Sequence, residues 1–202
     1  MIVYVETNFL LELAYLRPTS EHCQRLIDLA RAAKISLVVP AFALLEARMA
    51  WKQNAKRRNR LHSDVRVELG ELSRSRPLID IAAQTQAFVA ALLDTAEQDR
   101  GRLENAIAAL LHHAFVIGLE ATSIAEALAV EQRFDLSPPD AVVYAAVIDH
   151  ATRSGPGPKR FVTQNANDFR VPPIQDELAS RECKLLVTFD AAEAYVLSTI
   201  AP

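Results

Sequence analysis

Residues 1–9 read MIVYVETNF. Met1–Val5 is an apolar, β-branched run cut off by polar residues, the pattern of a short buried strand. Glu6, Thr7 and Asn8 follow, and Phe9-Leu10-Leu11 then opens a helix that either Thr7 or Asn8 could cap. The junction therefore places a carboxylate between a buried strand and a buried helix. An ordinary helix-start acid, favoured by the helix dipole, accounts for it. So does an acid that serves a site.

Outward from this junction the chain alternates strands with helices. A helix is expected from about 21 to 33 with Ser20 as cap, then a second buried strand, ISLVV at 35–39, stopped by Pro40. A helix should run from Ala41 to about Arg60. Residues 61–135 show no convincing strand and read as two or three long helices, broken near Arg76-Pro77 and near Asp99-Arg100-Gly101. Ser137 should cap the next helix, with Pro138 in its first turn. SGPGP is a turn. KRFVT at 159–163 and KLLVTF at 184–189 read as strands, and DAAEAYVLSTI as a closing helix. Short strands separated by helices imply an α/β fold with a parallel sheet flanked by helices. The expected organisation is a single domain over 1–202 carrying a long central helical insertion at 61–135. In such folds ligands bind beyond the carboxyl ends of the strands.

With 202 residues, half of them hydrophobic, the chain can bury a substantial core. Its formal net charge of −3 argues against a strongly basic nucleic-acid binder but leaves room for local basic patches. The two cysteines, Cys23 and Cys183, have no metal-ligand spacing and suit reduced thiols, hence a cytoplasmic setting. The first residues lack the basic start of a signal peptide. The most apolar stretch, AIAALLHHAFVIGLEA, is too short and too polar at its middle to span a bilayer, so no membrane partner is expected. Its His112 and His113 read as core or interface residues. No P-loop or dinucleotide glycine pattern occurs. A phosphatase of the haloacid-dehalogenase type would need a second acid two residues after the first, where this chain has Asn8.

Three acids stand in apolar surroundings. On a helix, Glu46 in PAFALLEARMAW has Phe42, Ala43, Met49 and Ala50 at the neighbouring positions, all apolar. A carboxylate there needs either an ion-pair partner or a cation. Asp140 in SPPDAVVYAAV falls in a first helical turn, yet Val143, Tyr144 and Val147 lie on its side. After the third predicted strand comes TQNANDF, with Thr163, Asn165 and Asp168. A backbone-bonding turn would explain some of these polar residues. Taken together, an acid follows strand one, another lies early in the helix after strand two, and a third starts the helix before strand three. A parallel sheet can bring all of them to one edge. Clustered carboxylates without bases require a cation, and oxygen-only ligands favour Mg²⁺ or Mn²⁺ over zinc. Beyond Glu46, the run Lys52, Lys56, Arg57, Arg58 and Arg60 is either a solvated helix face or a phosphate-binding rim.

The segments VETNFLLEL, PAFALLEA, SPPDAVVYAA and TQNANDF, in this order, resemble the motifs of the PIN-domain family, particularly its toxin ribonucleases of the VapC type. They cover about residues 1–50 and 136–170. The resemblance implies a PIN fold, Mg²⁺ or Mn²⁺ as cofactor and cleavage of single-stranded RNA. It further implies an antitoxin protein as partner and a homodimer. On this resemblance Glu6, Glu46 and Asp140 are acidic ligands, Asn165 stands where a fourth acid is common, and Asp168 could take its place. Thr7, Asn8 and Thr163 would orient these residues by hydrogen bonds. Glu6 replaces the family's usual aspartate, and Asn165 is neutral. These two departures keep open a second reading, a catalytically silent PIN domain that binds nucleic acid or protein.

Overall fold

The computed structural model describes residues 1–200; residues 201 and 202, which the expected 1–202 domain includes, lie outside the described residues. The elements in order are β1 (Ile2–Tyr4), α1 (Thr7–Tyr15), α2 (Ser20–Arg31), β2 (Ser36–Pro40), α3 (Ala41–Leu72) and, after a short 3₁₀ turn at Arg76–Leu78, α4 (Ile79–His113). There follow β3 (Ala114–Ile117), α5 (Ala121–Phe134), α6 (Pro138–Arg153), β4 (Lys159–Val162), α7 (Ala166–Phe169), α8 (Pro172–Ala179), β5 (Cys183–Leu186) and α9 (Phe189–Ile200). Among the described residues no helix is long and apolar enough to cross a membrane.

The five strands form one parallel sheet in the order β3-β2-β1-β4-β5, so the fold is α/β as the alternation of elements requires. The central strand β1 pairs Val3 with Leu37 on one side and with Arg160 on the other. Val3, Tyr4, Val5, Val38, Val39, Phe161 and Val162 are all fully buried. That is why the strands read as continuous apolar runs rather than alternating ones. Chain progression leaves β1 in one direction through β2 and β3, then returns to its other side for β4 and β5. The switch point thus falls between β1 and β4, where a crevice opens at the carboxyl ends. Positive-φ glycines, Gly155 at 70° and Gly157 at 133°, make the turn into β4.

Several sequence expectations need correction: Thr19, not Ser20, is the N-cap of α2, and the helix expected to end near Arg60 runs on to Leu72. Glu6, rather than Thr7 or Asn8, is the N-cap of α1, with Thr7 its first helical residue. The 61–135 block does contain a strand: Ala114–Ile117 joins the sheet edge, pairing Leu37 with Ala114 and Pro40 with Ile117. It follows α4 without a turn, so its apolar run merges into the helical pattern, and only the exposed edge of β2 makes it a strand. The predicted break at Asp99-Arg100-Gly101 is absent. Asp99 is buried and held by Arg58 of α3 and Arg102 of its own helix. These bonds outweigh the cost of roughly 1 kcal/mol for a mid-helix glycine.

Helices α3 and α4 form a long antiparallel hairpin. Along α4 the buried residues Ala82, Val89, Ala96, Leu103 and Leu110 recur every seven positions, the seam of a coiled coil. The proximal half packs on the body. There α3 runs parallel to α1, since Thr7 bonds Glu46 and Asn54 bonds Tyr15, eight residues further on both helices. The distal half has only a small core of Leu69, Ala82 and Val89, with Val65 against it. His112 and His113 sit at the end of α4, the first exposed and the second half-buried, so neither belongs to the core.

Candidate functional site

The crevice at the switch point gathers the polar residues that follow β1 and β4 and those that begin α3 and α6. Glu6 leaves β1 in extended conformation and its Oε2 accepts from the Asn8 amide at 2.8 Å, closing the first turn of α1. Short residues usually perform this task; the longer glutamate does so with one oxygen and leaves the other over. That oxygen, Oε1, is buried and has no hydrogen-bond partner among the described residues. Glu6 is only 7% exposed. Burial drives its carboxyl up to about 7, against the pull of the Asn8 amide and the Thr163 hydroxyl, and Glu46 pushes it further.

Glu46, one turn into α3, is half-buried and accepts a hydrogen bond from the Thr7 hydroxyl at the start of α1. Burial raises its pKa, the Thr7 bond lowers it, and Asp140 raises it again. Its surroundings are less apolar than the sequence suggests, because Met49 is 50% exposed. The packed side of α3 is instead Ala43, Leu44 and Ala47. Replacing Thr7 with valine should remove the hydrogen bond that favours the Glu46 carboxylate and raise its pKa further. An NMR titration of the Glu46 carboxyl tests this, and an unchanged value refutes the link.

Asp140 sits in the first turn of α6, which Ser137 caps as its spacing predicts. The Ser137 hydroxyl also donates to Asp140 Oδ2 at 2.6 Å, and Asn165 Nδ2 donates to the same oxygen at 3.1 Å. Thr163, fully buried at the end of β4, accepts from the Asn165 amide at 2.9 Å. Glu6, Thr7, Asn8, Glu46, Asp140, Thr163 and Asn165 are therefore joined by contacts across four elements. Asp168 is not brought in: it is exposed on α7 and among the described residues makes no hydrogen bond or ion pair.

Glu12 is a buried acid that the sequence reading passed over. It accepts from the Thr19 hydroxyl at 2.6 Å and the Thr19 amide at 3.1 Å, while Gln164 Nε2 donates to the same hydroxyl at 3.1 Å. It thereby fastens the loop before α2 to the segment after β4. The signal was available, since Glu12 lies amid Phe9, Leu10, Leu11 and Leu13 much as Glu46 lies in its own apolar stretch.

The basic run on α3 divides. Arg58 turns inward to Asp99 and lies over the Tyr15 ring, so it ties α3 to α4 and is not available to a phosphate rim. Lys52, Lys56, Arg57 and Arg60 are exposed. At 100° per residue Arg57 and Arg60 fall within about 40° of Glu46, roughly 16 and 21 Å further along the helix.

A divalent cation suits this crevice chemically. The donors are all oxygens, one of them buried and unpartnered, and two of the acids have raised pKa values to which a neighbouring acid contributes. As the side chains stand, no group of three His, Cys, Asp or Glu among the described residues is placed to hold one ion. Loading would require side-chain movement, and one oxygen of Glu6 is already engaged as the cap of α1.

A family model described as PIN domain matches residues 3–169. No curated protein matches the chain. Among solved structures, the crystal structure of VapBC2 from Rickettsia felis bound to a DNA fragment from their promoter is similar over 92% of this chain and 98% of that chain, with 16% identity and a TM-score of 0.46.

Proposed function

The chain belongs to the PIN-domain family, and on that premise we propose that it is a metal-dependent endoribonuclease cleaving single-stranded RNA, the toxin of a toxin–antitoxin pair. The observation that carries this reading is the orphaned Oε1 of Glu6 at the switch point, beside Glu46 and with Asp140 next along. A buried acceptor with nothing to accept from is costly, and a cation would relieve it. Glu6, Glu46, Asp140 and the amide oxygen of Asn165 would hold Mg²⁺ or Mn²⁺. Such an ion lowers the pKa of water and neutralises charge on a phosphodiester.

The chain's own contribution is placement. Thr7 holds Glu46, and Ser137 and Asn165 fix one oxygen of Asp140 so that the other is free to turn to the crevice. Arg57 and Arg60, on the Glu46 side of α3, would take phosphates of the strand leading away from the site, with Lys52 and Lys56 adding to the local charge. The 61–135 segment then acts as an arm of the same domain. The antitoxin would place a basic side chain among the acids.

A second reading, the catalytically silent PIN domain, is favoured by a different observation: Glu6 already uses Oε2 as a helix cap, and among the described residues no three acids are placed around one point. Cleavage of a single-stranded RNA oligonucleotide with and without Mg²⁺ or Mn²⁺ separates the two. The nuclease reading expects cleavage only with metal, reduced at least about 100-fold in Asp140→Asn. RNA binding without cleavage at any metal concentration would favour the silent domain. Equal cleavage by Asp140→Asn would remove the proposed site.

A further inference from the structure

Three consecutive residues follow β4, and each addresses a different acid. The Thr163 hydroxyl favours the ionised form of Glu6. Asn165 donates to Asp140 Oδ2 at 3.1 Å. Gln164, between them, donates to the Thr19 hydroxyl at 3.1 Å, and that hydroxyl donates in turn to Glu12 at 2.6 Å. β4 ends at Val162, and the Thr163 amide still bonds the Leu186 carbonyl at 3.0 Å. Gln164 and Asn165 lie beyond the sheet ladder, so side chains set their path.

Thr19 forgoes a more usual bond to take part. It is the N-cap of α2, where a threonine hydroxyl ordinarily accepts from an amide of the first turn. Among the described residues its side chain makes no such bond. Glu12 accounts for the difference. A hydroxyl has a single hydrogen, and a carboxylate only accepts. Glu12 therefore takes that hydrogen and leaves the oxygen's lone pairs to the Gln164 NH₂ group. Glu12 Oε2 also accepts from the Thr19 amide at 3.1 Å, which fixes the residue whose hydroxyl is used. At 3% exposure Glu12 itself has little freedom to move.

We propose that Glu12 is a positioning residue of the acid site. Acting through Thr19 and Gln164, it sets the path of residues 163–165 and hence the point from which Asn165 reaches Asp140. It touches no substrate. Its consequence for catalysis rests on the nuclease reading, but the geometry belongs to the metal-free chain. The same helix thus serves the site twice, with Glu6 at its cap and Glu12 in its second turn. Slack at Gln164 lets Asn165 withdraw, and Asp140 Oδ2 then keeps the Ser137 bond without its second donor. The carboxylate turns more freely and aims its other oxygen less well, and small misplacements at a reacting centre are costly.

Two measurements on the full-length chain test this. The first needs no metal. In Gln164→Met, which keeps the side chain's length without its NH₂ group, the Asn165 side-chain NH₂ protons should exchange with water roughly 10-fold faster by NMR, as for the loss of one hydrogen bond. Thr19→Val should do the same, and Thr19→Ser, which keeps the hydroxyl, should not. The second is RNA cleavage: Gln164→Met and Thr19→Val should lower kcat about 10-fold with KM within about 2-fold of wild type, the mark of misplaced groups rather than lost substrate contacts. A swap of polarity tests Glu12 itself. Gln164→Glu alone sets two carboxylates on one hydroxyl hydrogen and should speed Asn165 exchange. Adding Glu12→Gln lets the hydroxyl donate to residue 164 and accept from residue 12, and exchange should slow again. Unchanged exchange in both Gln164→Met and Thr19→Val overturns the proposal, whether or not the chain cleaves RNA. So does a double variant that exchanges as fast as Gln164→Glu. A wild type that cleaves no RNA with either metal removes the nuclease reading, and the exchange measurements then decide this one.

Discussion

Glu6→Gln is expected to make the metal-free protein more stable at pH 8 while abolishing RNA cleavage. Burial lifts the folded-state pKa of Glu6 to about 7 from its ordinary 4.5. An acid whose pKa is raised on folding contributes stability that is complete below its unfolded pKa and lost as pH rises through the folded one. Between pH 4.5 and 8 the wild type should therefore lose about 3 kcal/mol at this residue. Glutamine carries no charge to desolvate and can still accept from the Asn8 amide, though its NH₂ group needs a partner of its own. A net gain of about 1–2 kcal/mol at pH 8 should remain, raising Tm by roughly 2–8 °C for a chain of this size.

A divalent cation reverses the order. It should stabilise the wild type at pH 8 by mass action and leave Glu6→Gln unmoved, and metal-dependent cleavage should fall at least about 100-fold. Thermal melts at pH 5 and pH 8, with and without Mg²⁺ or Mn²⁺, together with an RNA cleavage assay, read all of this. Should Glu6→Gln melt lower than wild type in metal-free buffer at pH 8 and cleave RNA normally, Glu6 is a helix cap and nothing more.

Asp99→Ala should be the most destabilising single change in the hairpin, costing about 3 kcal/mol. Asp99 is 4% exposed and lies between the guanidinium groups of Arg58 and Arg102. Removing it leaves two partly buried cations facing each other with nothing between them, the costly way to break a buried pair. Arg102 also donates to the Ala14 carbonyl at 2.8 Å, so the strain reaches the joint between α4 and α1. The expected fall in Tm is roughly 6–12 °C. Exchange of amide hydrogens should accelerate first in α4 around residues 95–105. A loss below about 1 kcal/mol would mean that α4 is held by its apolar seam alone. The exposed run beside it behaves differently: alanine at Arg57 or Arg60 should leave stability nearly untouched, since exposed charges contribute little.

The alternation of short apolar runs with amphipathic helices was enough to predict a parallel α/β sheet, because both periodicities are local properties of the chain. Four of the five strands, the cap at Ser137 and the first-turn place of Pro138 follow from such local rules. Glu46 was conspicuous for a similar reason, an acid where helical spacing puts only apolar neighbours. Glu12, inside the same VETNFLLEL segment, has Asn8 and Tyr15 at helical spacing beside Phe9 and Leu16, so its setting stood out less.

What depends on distant residues could not be read along the chain. Ala114–Ile117 is a strand because β2 offers it an unpaired edge, not because its own composition differs from the helix before it. The helix passes through Gly101 because Arg58, 41 positions from Asp99, closes an ion pair there. Sequence could place Glu6 at the end of a buried strand, and so mark the crevice. Only the folded chain decides that one of its oxygens caps α1 while the other is buried without a partner, since burial and hydrogen-bond supply are set by β4 and α3 closing around it.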